Sequence, residues 1–409
     1  MDILFLTDNF PPETNAPASR TYEHAKRWVR AGHRVTVLTS FPNFPDGKIF
    51  PSYKNRLRQR EMIDGIEVIR IWTYITANEG SIKRALDQLS FGIGLIFAGL
   101  FAPRPHVVVG TSPQFFTVVG GFVLSRLISR PFVFELRDLW PDSITAVGAM
   151  RESFVIRRLR QLEYYLYHHS NRIVSVTHSF KNVLVGKGVP AGKIEVIPNG
   201  VDLETYHPGD KPINLVAKWK VEGKFVAAYV GTIGMAHGLG TVLKAAEKLK
   251  ARTDIAFLLV GTGAEQAALT QRCKDTGLEN VIFVGSVSKV EVLEYWKLCD
   301  VALVLLRDSP LFAYVIPSKM FEAMGMERPI ILGVRGESRS ILEAAQAGIS
   351  ITPEDSGELV DAVVKLADNP ALCMQLGKAG REFASREFNR DCLARQMLAV
   401  LVSSTNKKP

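Results

Sequence analysis

What most constrains this chain is an alternation that runs twice along its length. Short apolar runs rich in Val, Ile, Leu and Phe are each followed by an amphipathic stretch, then by another short run. In the first half Ile3–Thr7, Arg34–Thr39, Val68–Trp72, Val107–Gly110, Phe132–Leu136 and Arg172–Val176 read as buried strands. Between the first two, residues 21–31 place Tyr22, Ala25, Trp28 and Val29 on one helical face, and Gly32 ends the helix. The second half repeats the pattern with strands Phe225–Val230, Ala256–Val260, Val281–Val284, Val301–Leu306 and Ile330–Leu332. Helices are expected over residues 240–249, from Ala264, from Val290 and at Lys319. Strand, helix, strand in regular turn predicts an α/β chain of two doubly wound, Rossmann-like domains with parallel sheets.

The turn-rich segment IEVIPNGVDLETYHP marks an interdomain linker at residues 194–208. It divides a first domain, 1–193, from a second, 209–385, and a helix at about 386–409 is expected to cross back onto the first. A length of 409 residues suits two domains, and 47% hydrophobic with 22% charged residues is a globular composition. Four cysteines show no metal or redox spacing. Asp2 and Asp8 flank the first strand without a basic leader, so no signal peptide is expected.

The net charge of +9 is uneven: the first 200 residues hold 25 basic and 16 acidic side chains, and the rest hold 25 of each. Lys54, Arg56, Arg58 and Arg60 form one cluster, and Arg151, Arg157, Arg158 and Arg160 a second. Either these are scattered surface charges or they meet anionic lipid or a phosphorylated acceptor. No aromatic-studded basic strand or recognition helix accompanies them, so nucleic acid is not the expected partner. The twelve-residue apolar segment Phe91–Ala102 falls short of the about 20 residues that span a bilayer. A buried core helix is the favoured reading, with a membrane-touching helix as the alternative.

Ligands of parallel sheets bind at the carboxyl ends of strands, so two such edges facing across a cleft suit a donor and an acceptor. In the second half, the expected strand over residues 299–306 leads through the loop Arg307–Pro317 to Ser318, Lys319 and Glu322 at a helix start. Ser318 can cap, Lys319 brings a full charge and Glu322 can accept from a diol, which suits a nucleotide phosphate and ribose. Arg307, as a helper to Lys319, and Pro317 are further candidates on the nucleotide side. Gly231, Thr232 and His237 lie in the loop after Phe225–Val230, and Gly261 and Gly263 in the turn after Ala256–Val260, where glycine lets backbone approach a phosphate. There is no full GxGxxG with a ribose acid and no Walker A lysine. No metal-ligand cluster is visible; the adjacent His168 and His169 point in different directions on a helix.

In the first half, the long loop Asn9–Arg20 offers Asn15 or Ser19 as helix cap and Arg20 as a charge at the strand edge. Glu135, Arg137 and Asp138 at another strand end either bind a hydroxylated or phosphorylated ligand or form an internal Arg–Asp pair.

Several segments together resemble the family 4 glycosyltransferases of the GT-B fold: LFLTDNFPPETNAPASR, ELRDLWPDS, IPNGVDLETYHP, YVGTIGMAHGL and IPSKMFEAMG. Within that family the chain resembles the WbuB-like bacterial enzymes of O-antigen and capsule assembly, which include N-acetylfucosamine transferases. The resemblance implies retaining transfer of a sugar from a UDP-sugar to a polyprenyl-diphosphate-linked saccharide, with no metal or other cofactor. It also implies a peripheral enzyme on the inner face of the cytoplasmic membrane, held there by the basic first domain. By the same resemblance Glu322 holds the ribose, Lys319 the diphosphate, and Arg137, Asp138, Asn15 and Arg20 the acceptor or donor-sugar side. The chain departs from the family pattern where Tyr314 stands eight residues before Glu322 in place of a glutamate. It departs again where Thr232 and His237 replace an Arg and a Lys, and where Arg137 replaces a His. Two other readings share this sequence: a UDP-sugar 2-epimerase of the same fold, and a non-catalytic membrane-associated binding protein.

Overall fold

The computed structural model describes residues 1–44, 47–76, 81–142 and 153–405. Arg151, counted above in the second basic cluster, and residues 406–409 lie outside the described residues. The chain forms two compact units, Met1–Pro198 with Arg390–Pro409, and Asn199–Asn389.

The first unit is an eight-stranded sheet. Its strands are β1 (Asp2–Leu6), β2 (Arg34–Ser40), β3 (Arg58–Ile63), β4 (Ile66–Ile71), β5 (Val107–Thr111), β6 (Phe132–Leu136), β7 (Arg172–Ser175) and β8 (Ile194–Val196), in the order β3-β4-β2-β1-β5-β6-β7-β8. All neighbours are parallel except β3 and β4, an antiparallel hairpin. Successive side chains of a strand face opposite sides, so β1 feeds two cores. Leu4 and Leu6 pack with Phe91, Leu95 and Phe134 on one face. Ile3 and Phe5 pack with Trp28, Met397 and Leu401 on the other.

Helix α1 (Ala16–Arg30) and the last helix, Arg390–Thr405, cover that second face. Trp28 Nε1 donates to the Ala394 carbonyl at 2.9 Å, and Arg27 pairs with Asp391. The helical pattern that ends the chain therefore breaks at Phe388–Asn389, and its last segment belongs to the first unit. Ile194–Val196, expected to open a linker, is instead the edge strand of this sheet.

Strand β3 was not expected. The Lys54–Arg60 stretch read as a basic cluster because Arg58 and Arg60 mask the alternation of an edge strand. The overlooked signal is Asp64-Gly65, a two-residue turn with positive φ at both positions, 49° and 79°. Helix α2 also runs further than its apolar segment, over Ser81–Leu100. It is not a fully buried core helix. Phe91 and Leu95 are buried, whereas Ile93, Phe97 and Leu100 are exposed. It lies against helix α3 (Phe115–Leu127) through glycines: a Cβ on Gly120 would sit 2.5 Å from the Gly92 carbonyl oxygen.

The second unit carries a six-stranded, wholly parallel sheet, β11-β10-β9-β12-β13-β14. The strands are β9 (Phe225–Val230), β10 (Ile255–Val260), β11 (Val281–Gly285), β12 (Val301–Leu305), β13 (Ile330–Gly333) and β14 (Gly348–Ser350). Two cores again flank the sheet, with Val226, Ala228 and Val230 on one face and Ala227 and Tyr229 on the other.

Candidate functional site

In the second sheet β9 has β10 on one side and β12 on the other, so the winding reverses between β9 and β12. Such a reversal opens a crevice at the carboxyl ends of the two strands, where doubly wound sheets hold ligands. The Gly231–Gly238 loop leaves β9 there, and the Arg307–Ser318 loop leaves β12.

Lys319 opens the seven-residue helix Lys319–Gly325. Its Nζ lies 3.6 Å from the centroid of the Tyr229 ring, and a Cβ on Gly231 would stand 3.0 Å from it. The ammonium is enclosed and has no hydrogen-bond partner among the described residues. Burial pulls it down to about 7, against the raising effect of Glu322 one turn further on. An anion beside Gly231 would supply the missing acceptor and favour the charged form.

His237 ends the short turn Met235–His237, with its ring edge-on to Tyr229 at 5.7 Å and Nδ1 3.3 Å from the Gly234 carbonyl oxygen. Burial, then Lys319, hold it down to about 4, so the imidazole is neutral. Thr232 is exposed, and its carbonyl accepts from the Tyr229 hydroxyl at 2.6 Å.

The glycines have a packing role that their spacing does not reveal. A Cβ on Gly261 would fall 2.0 Å from the Gly231 carbonyl oxygen, and one on Gly263 2.4 Å from that of Ile233. Gly231 N–H donates to the Val260 carbonyl and Ile233 N–H to that of Thr262, so these two donors are engaged. Gly231 therefore leaves room for the Lys319 ammonium where a side chain would stand, and offers no unpaired N–H.

Two expectations need correction. Ser318 is helical (φ −60°, ψ −28°) and its side chain makes no capping bond; the Pro317 carbonyl accepts from Met320 N–H at 3.0 Å. Arg307 does not reach toward Lys319: its guanidinium donates to Glu265 Oε1 at 2.7 Å.

In the first sheet the winding reverses between β1 and β5. Asp8 follows β1, while Ser112 and Gln114 follow β5. The Ser112 hydroxyl accepts from Arg137 N–H at 2.8 Å and from Asp138 N–H at 3.3 Å, which fixes the turn after β6. One terminal nitrogen of the Arg137 guanidinium is enclosed without a partner among the described residues. Burial lowers that guanidinium to about 10, with Glu135 opposing. Burial, reinforced by Asp87 and Glu13, pushes Asp8 up to about 8.

Arg20 is not a free charge at this edge. It is buried, with Nε 2.9 Å from Glu135 Oε1, and it also donates to the Pro198 carbonyl at 2.7 Å and that of Ile197 at 2.8 Å. Asn15 caps α1, accepting from Ala18 N–H at 3.0 Å. Both side chains therefore shape the first unit from within. The long loop before α1 is held by Glu13, whose carboxylate accepts from the N–H groups of Phe10, Asn43 and Phe44. Among the described residues, no group of three or more His, Cys, Asp or Glu could hold a metal ion.

Residues 15–200 match the glycosyl transferase 4-like domain, and residues 211–383 match the glycosyl transferases group 1 family. The chain belongs to the group 1 glycosyl transferases. Across the two units this glycosyltransferase is 26% identical over 410 residues to WcaI of Escherichia coli K12, a protein named for colanic acid biosynthesis, covering 97% of this chain and 99% of that one. Its fold is that of the sucrose-phosphate synthase of Thermosynechococcus elongatus, with TM-score 0.78, 18% identity and 98% of both chains covered. It is also that of Anabaena HepE, solved with UDP and glucose, with TM-score 0.74, 18% identity, and 98% of this chain and 99% of that one covered.

Several residues at these candidate sites escaped sequence reasoning. Tyr229 reads as one more apolar strand residue, although its ring is the surface on which Lys319 rests. Ser112 directly follows β5 and Asp8 stands two residues past β1, and that position was their signal. Gln114 and Glu265 gave none.

Proposed function

We propose that this glycosyltransferase takes its sugar from a UDP-sugar and passes it to a polyprenyl-diphosphate-linked saccharide in surface polysaccharide synthesis. Configuration is retained, no metal ion is needed, and the reaction takes place at the inner face of the cytoplasmic membrane. The observation that carries the donor side is Lys319, an enclosed ammonium without an acceptor among the described residues, packed against Gly231 and one turn before Glu322. In transfer the bond from the sugar's anomeric carbon to the diphosphate breaks and UDP leaves with the electron pair. The acceptor oxygen attacks from the same face and loses its proton to the leaving phosphate. Lys319 offsets the charge growing on that phosphate, a stabilisation that increases toward the transition state. Glu322 accepts from the ribose hydroxyls, and neutral His237 lines the phosphate side without adding charge. Arg137 and Asp138 serve the acceptor or the donor sugar. The UDP in HepE supports uridine as the nucleoside of the donor, and the naming of WcaI supports a surface polysaccharide as the product.

Calorimetric titration with UDP, GDP and ADP, with and without a chelator, tests the donor side. UDP binding that survives the chelator and is lost in Glu322→Ala is the expected result. Failure to bind any nucleotide would overturn the assignment of Lys319 and Glu322. UDP-N-acetyl-L-fucosamine heads the donor screen, and conversion of a donor without acceptor would mark an epimerase.

A further inference from the structure

Helix α2 carries an apolar stripe that no described residue of the first unit covers. Leu86, Leu89, Ile93, Phe97 and Leu100 are all exposed, Phe97 to 64%. At 3.6 residues per turn they fall within about 80° of one another around the axis and extend about 21 Å along it. The opposite side is anchored: Phe91 and Leu95 are buried, and Gly92 and Gly99 bring the helix close against α3. The stripe is therefore held rigidly outward.

The neighbouring surface has a consistent character. Tyr74 N–H donates to Ser90 Oγ at 2.9 Å, and Gly94 faces the Trp72 carbonyl, so these two half-exposed aromatic residues flank the stripe. Arg58 donates to the Phe101 carbonyl at 3.2 Å, which places the start of β3 beside the end of α2, where Leu57 is 85% exposed and Phe101 72%. Asn55 Nδ2 donates to the Thr73 carbonyl at 2.8 Å and holds Lys54 and Arg56 next to the aromatic pair. Lys54, Arg56, Lys83 and Arg104 are exposed around this patch. The single acid of α2, Asp87, is half-buried and acts on Asp8. An apolar face with Trp and Tyr at its flank and a cationic rim matches the chemistry of a bilayer interface, with acyl chains below and anionic headgroups above. No helix among the described residues is long and apolar enough to cross a membrane.

We propose that the outward face of α2, with Trp72, Tyr74, Phe101 and the Lys54–Arg56 rim, docks this protein on an anionic lipid bilayer. The surface gives the lipid-linked reading above, on which it rests for its purpose, a place on the molecule. The stripe enters the acyl boundary and the basic rim meets lipid phosphates.

Co-sedimentation with vesicles of phosphatidylcholine containing about 30% phosphatidylglycerol, against phosphatidylcholine alone, tests this. The wild-type chain binds the anionic vesicles more tightly. Ile93→Glu/Phe97→Glu and Arg56→Glu/Arg104→Glu each weaken that binding by about 10-fold or more, while UDP titration is unchanged. All four positions are exposed; if the first pair does not fold, the second carries the test. Undiminished vesicle binding in the variants, or none by the wild-type chain, overturns the proposal. So does a wild-type dimer that binds no vesicles and is dissociated by Ile93→Glu/Phe97→Glu, because the face then serves a second copy. UDP binding without vesicle binding defeats only the docking surface, and the converse defeats only the donor site.

Discussion

Lys319 Nζ stands 3.6 Å from the centre of the Tyr229 ring, with no hydrogen-bond acceptor among the described residues. A cation over a ring face gains some attraction but not the full compensation of an anion. Removing it leaves no orphaned partner behind. Lys319→Ala should therefore lower transfer by about 100–1,000-fold without loss of thermal stability. Steady-state transfer assays beside a melting curve check both; turnover like the wild type would exclude Lys319 from the chemistry.

The same ammonium makes donor binding depend on pH. In the free protein burial holds Lys319 down to about 7, so above that pH it is mostly neutral. A diphosphate favours the charged form, so binding takes up a proton and UDP affinity falls as pH rises beyond 7. His237 and Tyr229 beside it do not mask the effect: His237 is held near 4, and burial raises the Tyr229 hydroxyl well above its ordinary value. Titrations at pH 8 in buffers of different ionisation heat should report the uptake, and it should vanish in Lys319→Ala.

Arg20 and Glu135 form a buried pair at 2.9 Å, so removing either deprives the other of its directly bonded opposite charge. Arg20→Ala should cost about 3–5 kcal/mol of stability, measured by urea denaturation, with UDP affinity unchanged. Burial alone would raise Glu135, but Arg20 and then Arg137 hold it at about 2. A carboxylate depressed in this way stabilises the fold above its ordinary pKa, and that contribution is lost as pH falls from about 4.5 toward 2. Arg20→Ala should flatten this acid limb.

Asn15→Ala removes a helix cap and nothing more. The expected cost is about 1 kcal/mol with transfer kinetics intact. A raised KM for the acceptor at unchanged stability would return Asn15 to the acceptor site.

Gly261 has φ +132°, and a Cβ there would lie 2.0 Å from the Gly231 carbonyl oxygen. That oxygen belongs to backbone and cannot swing aside. Gly261→Ala should thus displace the loop that borders Lys319, weakening UDP by about 10-fold or more along with a lower melting temperature. An unchanged UDP affinity would show that the two loops are not coupled.

The alternation of short apolar runs and helices made both sheets legible, because strands buried on two faces must be apolar throughout. The pattern failed at β3, an edge strand whose Arg58 and Arg60 hide its period, and at α2, where apolar residues occupy both the packed and the exposed faces. At the candidate site, Lys319 and Glu322 were readable because they follow a strand and a loop at a helix start. Their surroundings were not. Tyr229 lies about ninety residues before Lys319 in the chain, and nothing local announces that its ring receives the ammonium.

Arg20 marks the boundary between the two kinds of information. Its position at the end of a loop after the first strand is a property of the sequence, and a charge at a strand edge is its natural local reading. Glu135 and the carbonyls of Ile197 and Pro198, 115 to 178 residues further along, turn that charge inward. Apolar periodicity determined the element order and the parallel sheets, because it acts between residues a turn or a strand apart. Which cation remains unpaired and which is neutralised was decided only by tertiary structure, since an ion pair depends on distance in space and not on separation along the chain.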